Sequence, residues 1–192
     1  MQSFHDRFCI TTGFCIVSVL LLLSLPIRFV IAFVLAVSIH ELGHYLMLRL
    51  LRISTYRICL SASGARIECE GMLPWQEFFT SLSGPVAGLV LLPLRSQLPL
   101  TAVIAFVHTI FNLIPIGSLD GGRALRCFLV GLLGHSRGIA AHRCISGAMI
   151  LLLLLVILWI CAALDQFYWL APIVFLTLIR QFPVKSLAKR RI

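Results

Sequence analysis

The chain has 192 residues, 60% of them hydrophobic and only 12% Asp, Glu, Lys or Arg, with a formal net charge of +9. A soluble domain of this length is nearer half apolar and a quarter charged, so the composition excludes an ordinary soluble globule and leaves almost no room for a separate soluble domain. The basic balance does not imply a nucleic-acid partner, because the basic residues gather in loops and in the tail, as the positive-inside rule expects.

A helix needs ~20 apolar residues to cross ~30 Å of hydrocarbon. Six stretches are candidates, at about 9–25, 29–51, 77–94, 98–116, 145–163 and 167–182. They predict an all-α polytopic membrane protein, one domain over 1–192. The first stretch follows His5, Asp6 and Arg7 and has no A-x-A-like cleavage site before the next. It therefore reads as a retained span and not as a removed signal peptide. Short turns separate neighbouring spans: Pro26-Ile27-Arg28, Arg95-Ser96-Gln97 and Leu164-Asp165-Gln166.

Between the second and third spans the pattern changes. In "YRICLSASGARIECEG", residues 56–71, Arg66, Glu68 and Glu70 alternate with Ile67 and Cys69. That is strand periodicity, and it predicts a small membrane-associated β-hairpin, with an ordinary cytoplasmic loop as the alternative. The region between the fourth and fifth spans, with His135, Arg137, His142 and Arg143, reads as a solvated or lipid-facing loop. Six spans put both termini on one side, and fourteen of the sixteen Lys and Arg residues fall on that side. The bias places both ends in the cytoplasm, with the basic tail "VKSLAKRRI" against anionic headgroups. Seven cysteines with no CxxC pair read as small buried side chains. They form neither a disulfide framework nor a thiolate zinc site. Glu77 complements the dipole at the start of the third span. Trp75, Trp159, Tyr168 and Trp169 fit interfacial anchors.

The chemistry lies in the second span. "HELGH" sets His40 and His44 four residues apart, on one helix face and one turn apart. This spacing allows two nitrogens to bind one zinc ion at about 2.0–2.1 Å each. Glu41 sits ~100° around the helix from His40, close enough to act as a base on a water held there without itself being a ligand. Ionisable groups in a span are costly and mark function by default. A catalytic zinc takes three protein ligands and an open position. The third candidates are His108, which also reads as a helix-packing histidine, and Asp120 in "NLIPIGSLDGGRAL", residues 112–125. Context favours Asp120: Pro115 and Gly117 break the helix, and Gly121-Gly122 let the backbone bend and pack closely. An ordinary turn aspartate would look the same.

"HELGH" in one span and "NLIPIGSLDGG" two spans later resemble the site-2 protease family of intramembrane zinc metalloproteases. The compact layout is similar to the bacterial branch that includes the protease processing a sporulation pro-sigma factor. The resemblance covers about residues 30–125, and "SLSGPVAG", residues 81–88, resembles the family's Gly-Pro segment. It implies that His40, His44 and Asp120 bind Zn²⁺, that Glu41 is the catalytic base, and that Asn112 faces the site to hold substrate or the oxyanion. It also implies a membrane-anchored protein substrate, with regulation by another membrane protein as an open possibility. The chain departs from the family pattern at Gly117 and Ser118, where prolines are common, and at Gly88, where Asn is common. Nothing resembles a PDZ domain, and the stretch after about 183 is too short for a CBS domain.

On this reading an unwound substrate pairs with the hairpin by strand addition, and water reaches a site on the order of 15 Å deep through a cleft open to the cytoplasm. Two other readings compete. A divalent-metal transporter would show a paired metal-binding span or internal repeats, and neither is present. A catalytically inactive scaffold has no need of Glu41.

Overall fold

The structure is a computed structural model that describes residues 8–62 and 64–164. Its elements in order are β1 (Phe8–Ile10), α1 (Thr12–Ser24), α2 (Ile27–Leu50), β2 (Thr55–Ser61), β3 (Gly64–Cys69), α3 (Pro74–Leu89), α4 (Pro99–Asn112), α5 (Asp120–Leu133) and α6 (His135–Leu164), with a 3₁₀ turn at Leu92–Ser96 between α3 and α4. Three of these segments are long and apolar enough to cross a membrane: Ile27–Leu50, Pro74–Ser96 and His135–Ile160. Two shorter apolar helices, Thr12–Ser24 and Pro99–Asn112, accompany them. The predicted span at 167–182, the basic tail, Tyr168 and Trp169 lie outside the described residues.

Each boundary has a local cause. Thr11 caps α1 through its side chain, which accepts from the Phe14 amide, and Pro26 ends the short link into α2 with φ near the value its ring imposes. Pro74 and Pro99 occupy first-turn positions of α3 and α4, where the missing N–H costs nothing. Gly64 opens β3 at φ +113°, a conformation glycine adopts without strain. β3 alternates exposed Arg66 and Glu68 with half-buried Ile67 and Cys69, as its sequence predicts.

Three differences from the sequence expectation matter. The hairpin gains a third strand, because β1 pairs parallel to β2 with Phe8 opposite Ile58 and Cys9 opposite Cys59. The first span accordingly starts as a strand, and its helix is 13 residues long. The stretch read as a loop between the fourth and fifth spans is instead helical, forming α5 and the first turns of α6. His142 there is buried, contrary to the solvated reading, and its Nε2 lies 3.3 Å from Ser146 Oγ. His135 is exposed. Glu77 does sit in the first turn of α3, but it also pairs with Arg123, at 3.6 Å, and with Arg126 of α5.

The centre of the molecule is lined by small residues. Ala32, Ala36 and Gly43 of α2, Ser81, Gly84, Pro85 and Gly88 of α3, and Ala102 and Ala105 of α4 are all buried. In lipid the driving force for helix association is close packing, and small residues permit it. The large apolar side chains point outward: Leu23, Val86, Val103 and Trp159 are among the exposed ones. This inside-out distribution suits a chain whose surroundings are hydrocarbon.

Candidate metal centre

Helix α2 brings His40 and His44 to the same buried face, as the i, i+4 spacing requires. The third group comes from α5. After α4 ends at Asn112 the chain unwinds through residues 113–119, and Asp120 is the first residue of the next helix. Two glycines make that turn possible. A Cβ on Gly121 would meet the backbone of Leu113, and one on Gly122 the backbone of Ile116. The link between α4 and α5 is therefore folded too tightly for any side chain at either position, and this tightness aims the Asp120 carboxylate back at α2.

The result is a triangle of donor atoms. His40 Nε2 lies 3.0 Å from Asp120 Oδ2, His44 Nε2 lies 3.1 Å from the same oxygen, and the two nitrogens are 3.2 Å apart. All three residues are buried, and among the described residues they form the group of metal-ligating side chains that converges. Four ligands at 2.0–2.1 Å from a tetrahedral zinc stand about 3.3 Å from one another, so the spacing fits that ion.

The hydrogen-bond accounting supports a cation more firmly than the distances do. His44 Nδ1 donates to the Thr80 carbonyl of α3 at 2.7 Å. In the neutral ring the other nitrogen then carries a lone pair, and that lone pair faces a carboxylate oxygen and a second imidazole. Acceptors turned toward one another repel unless a proton or a metal cation lies between them, and a metal cation satisfies all three donor atoms at once. The Thr80 bond is also the usual outer partner that fixes a ligating histidine's tautomer. His40 has no such partner: its Nδ1 is buried and unbonded among the described residues. Its ring is held by edge-on contacts with His44, at 4.9 Å between centroids, and with His108, at 4.7 Å.

Glu41 is half-buried beside this triangle, with no hydrogen-bond or ion-pair partner among the described residues. It is outside the converging group of His40, His44 and Asp120. Asn112, at the end of α4, turns its amide nitrogen onto His108, donating to the backbone oxygen at 3.0 Å and approaching the ring Nε2 at 3.0 Å. Thr80 and Gly84 escape a reading of side-chain chemistry, because one contributes a carbonyl and the other contributes space. The run of small residues at 81–88 was the available signal.

Comparisons with known proteins bear on the fold and on the class of chemistry. The family model for peptidase family M50 matches residues 92–156, a window that holds Asn112 and Asp120. A curated Synechocystis sp. protein, "Putative zinc metalloprotease sll0528", is 34% identical over 116 residues. The alignment covers 52% of this chain and 31% of that protein's length. The solved Site-2 Protease from Methanocaldococcus jannaschii superposes with a TM-score of 0.64, covering 100% of this chain and 98% of that one at 19% identity. The chain is thus similar to peptidase family M50 over about a third of its length, and the alignment spans about a third of the curated zinc metalloprotease it matches. The fold is that of the solved site-2 protease, and the buried His-His-Asp group fits Zn²⁺.

Proposed function

We propose that this site-2 protease relative is a zinc metalloprotease that hydrolyses peptide bonds within or near transmembrane segments of membrane-anchored proteins. The observation that carries the reading is the triangle of His40 Nε2, His44 Nε2 and Asp120 Oδ2, buried between apolar helices with the His44 proton drawn away to Thr80. His40, His44 and Asp120 would hold the ion. Zinc in such a site polarises a carbonyl and makes water acidic near neutral pH.

The chain's own residues supply the rest. Glu41 takes the proton from the attacking water and returns it to the leaving amine, as a general base and then a general acid. Its half-buried position without a competing partner leaves it available for both transfers. The small-residue helix contacts keep bulk lipid out, while the non-helical segment at 113–119, broken by Pro115 and Gly117, leaves one side of the site unwound. A substrate helix shields its peptide bonds and must open locally. The β1–β2–β3 sheet offers edges that an opened strand can join. The partners on this reading are a membrane-anchored substrate, the lipid bilayer and, as an open possibility, a regulatory membrane protein. The location is the cell membrane with both termini cytoplasmic, supported by the Lys and Arg distribution.

The test uses purified protein in detergent, wild type beside Glu41→Gln. Bound zinc and cleavage of a panel of single-span substrates are measured in both. About one zinc per chain in each, with cleavage lost by roughly 10²–10⁴-fold in Glu41→Gln, is the expected result. Zinc in both without cleavage in either would favour a transporter or a scaffold, and no zinc in either would refute the site.

A further inference from the structure

Asn112 and His108 lie one helical turn apart on α4 and touch each other. The Asn112 amide group at the contact is fixed by its neighbours. It sits 3.0 Å from the backbone oxygen of His108, which only accepts, so the group there is the NH₂ and not the carbonyl. The same nitrogen is 3.0 Å from His108 Nε2. An amide NH₂ has no acceptor lone pair to offer, so His108 Nε2 must be the acceptor and the ring proton must lie on Nδ1. Both amide hydrogens of Asn112 are then committed within α4. What Asn112 has left is Oδ1, which has no hydrogen-bond partner among the described residues. His108 in turn packs edge-on against His40, at 4.7 Å between centroids and 78° between planes. The pair therefore stands at the edge of the metal centre.

We propose that His108 is a positioning residue that sets the polarity of Asn112, so that Asn112 presents a hydrogen-bond acceptor to a backbone N–H of the unwound substrate and not a donor to the oxyanion. This deepens the protease reading and rests on it. An oxyanion site needs N–H or O–H groups, and Asn112 in this arrangement has none free. Its carbonyl suits the opposite task, holding one N–H of an opened strand in register beside the zinc ligands.

The test is a binding measurement in zinc-loaded Glu41→Gln protein in detergent, which holds substrate without cutting it. The ligand is a single-span peptide, compared with a series in which one backbone amide at a time near the cut is replaced by an ester. The expected result is one ester position that weakens binding about tenfold, the effect of a single hydrogen bond. The same ester should have no effect when Asn112→Leu is added. His108→Leu should weaken binding of the all-amide peptide by about as much and abolish the dependence on that ester. His108→Gln, whose side-chain oxygen can still accept from Asn112, should restore at least part of it. Zinc content should stay at about one per chain in all of these. The proposal is overturned if no ester position distinguishes the parent from the Asn112→Leu variant, if His108→Leu binds as the parent does, or if His108→Leu loses its zinc. The protease reading fails separately, through absent zinc or absent cleavage in the unmodified chain.

Discussion

Gly84 is one residue before Pro85 in α3 and one turn after Thr80, whose carbonyl holds the His44 proton. A Cβ at Gly84 would land on the His44 ring, 2.6 Å from Cε1 and 2.8 Å from Cδ2, and closer still to Nε2. Ordinary contact begins at 3.4 Å, so Gly84→Ala forces about 0.8 Å of withdrawal from the Cε1 edge alone. Zinc–ligand distances tolerate about ±0.2 Å. The ring has nowhere to retreat without stretching its bond to Thr80. Loss of such support typically costs 10–100-fold in metal affinity, and Gly84→Ala should fall in or above that range. Replacing a helical glycine by alanine ordinarily favours the helix by about 1 kcal/mol, a gain that crowding by the following proline reduces. The helix should therefore survive while the metal site suffers. The assay is zinc affinity by competition with a chromophoric chelator in detergent, with far-UV circular dichroism as the check on folding. Gly88→Ala is the control. One turn along α3, its Cβ would meet Thr109 Oγ1 of α4 and not the His44 ring, and zinc affinity should be unchanged. Wild-type affinity in folded Gly84→Ala would refute the argument that this glycine makes room for His44.

Asp120→Asn keeps the shape of the third ligand and removes its charge, so zinc affinity should fall by more than the roughly 10–100-fold that outer partners cost, and retention of a full zinc by equilibrium dialysis would contradict its role. Gly122→Ala places a methyl group against the Ile116 carbonyl, backbone that no rotamer change can clear. Thermal unfolding in detergent should show destabilisation of about 3 kcal/mol, the upper end for overpacking, together with weakened zinc binding. Ser146→Ala removes the 3.0 Å bond from α6 to the Pro115 carbonyl, and a loss of about 1 kcal/mol with zinc content intact is expected. A zinc-deficient Ser146→Ala would show that α6 does more than brace the unwound segment.

Much of this site was legible because its chemistry is written in side chains at short range. The His40–His44 face follows from helix periodicity, and the breakers around Asp120 announce an interruption at that place. The strand alternation of β3 was equally plain. The remainder depended on information a local pattern does not carry. β1 is three apolar residues running into an apolar helix, and its pairing with β2 spans some fifty residues of sequence. α5 reads as a loop because its Gly-Gly start and its arginines resemble loop composition. Its inward face is built from Asp120, Gly122, Ala124 and Cys127, small or polar residues that no hydrophobic count would mark as buried. The burial of His142 escapes the sequence for the same reason, since α6 packs that residue against the unwound segment.

The small residues that let the helices pack are also those that assemble the metal centre, and the two roles have one geometric cause. A Cβ on Gly43 would strike the Ser83 carbonyl and the Ala87 side chain, so α2 and α3 approach backbone to backbone just beside His44. Only at that separation can a ring on α2 reach a carbonyl on α3 at 2.7 Å. Wider spacing would leave Nδ1 of His44 without its acceptor and free its Nε2 to take the proton, which would make it a donor in place of a ligand. Close packing of α2 on α3 thus selects the protonation pattern that a cation requires. The tight α4–α5 link then adds the carboxylate from the other side. A polar trio that would be costly in hydrocarbon is tolerated because backbone contacts place His44 and Asp120, while ring contacts with His44 and His108 hold His40.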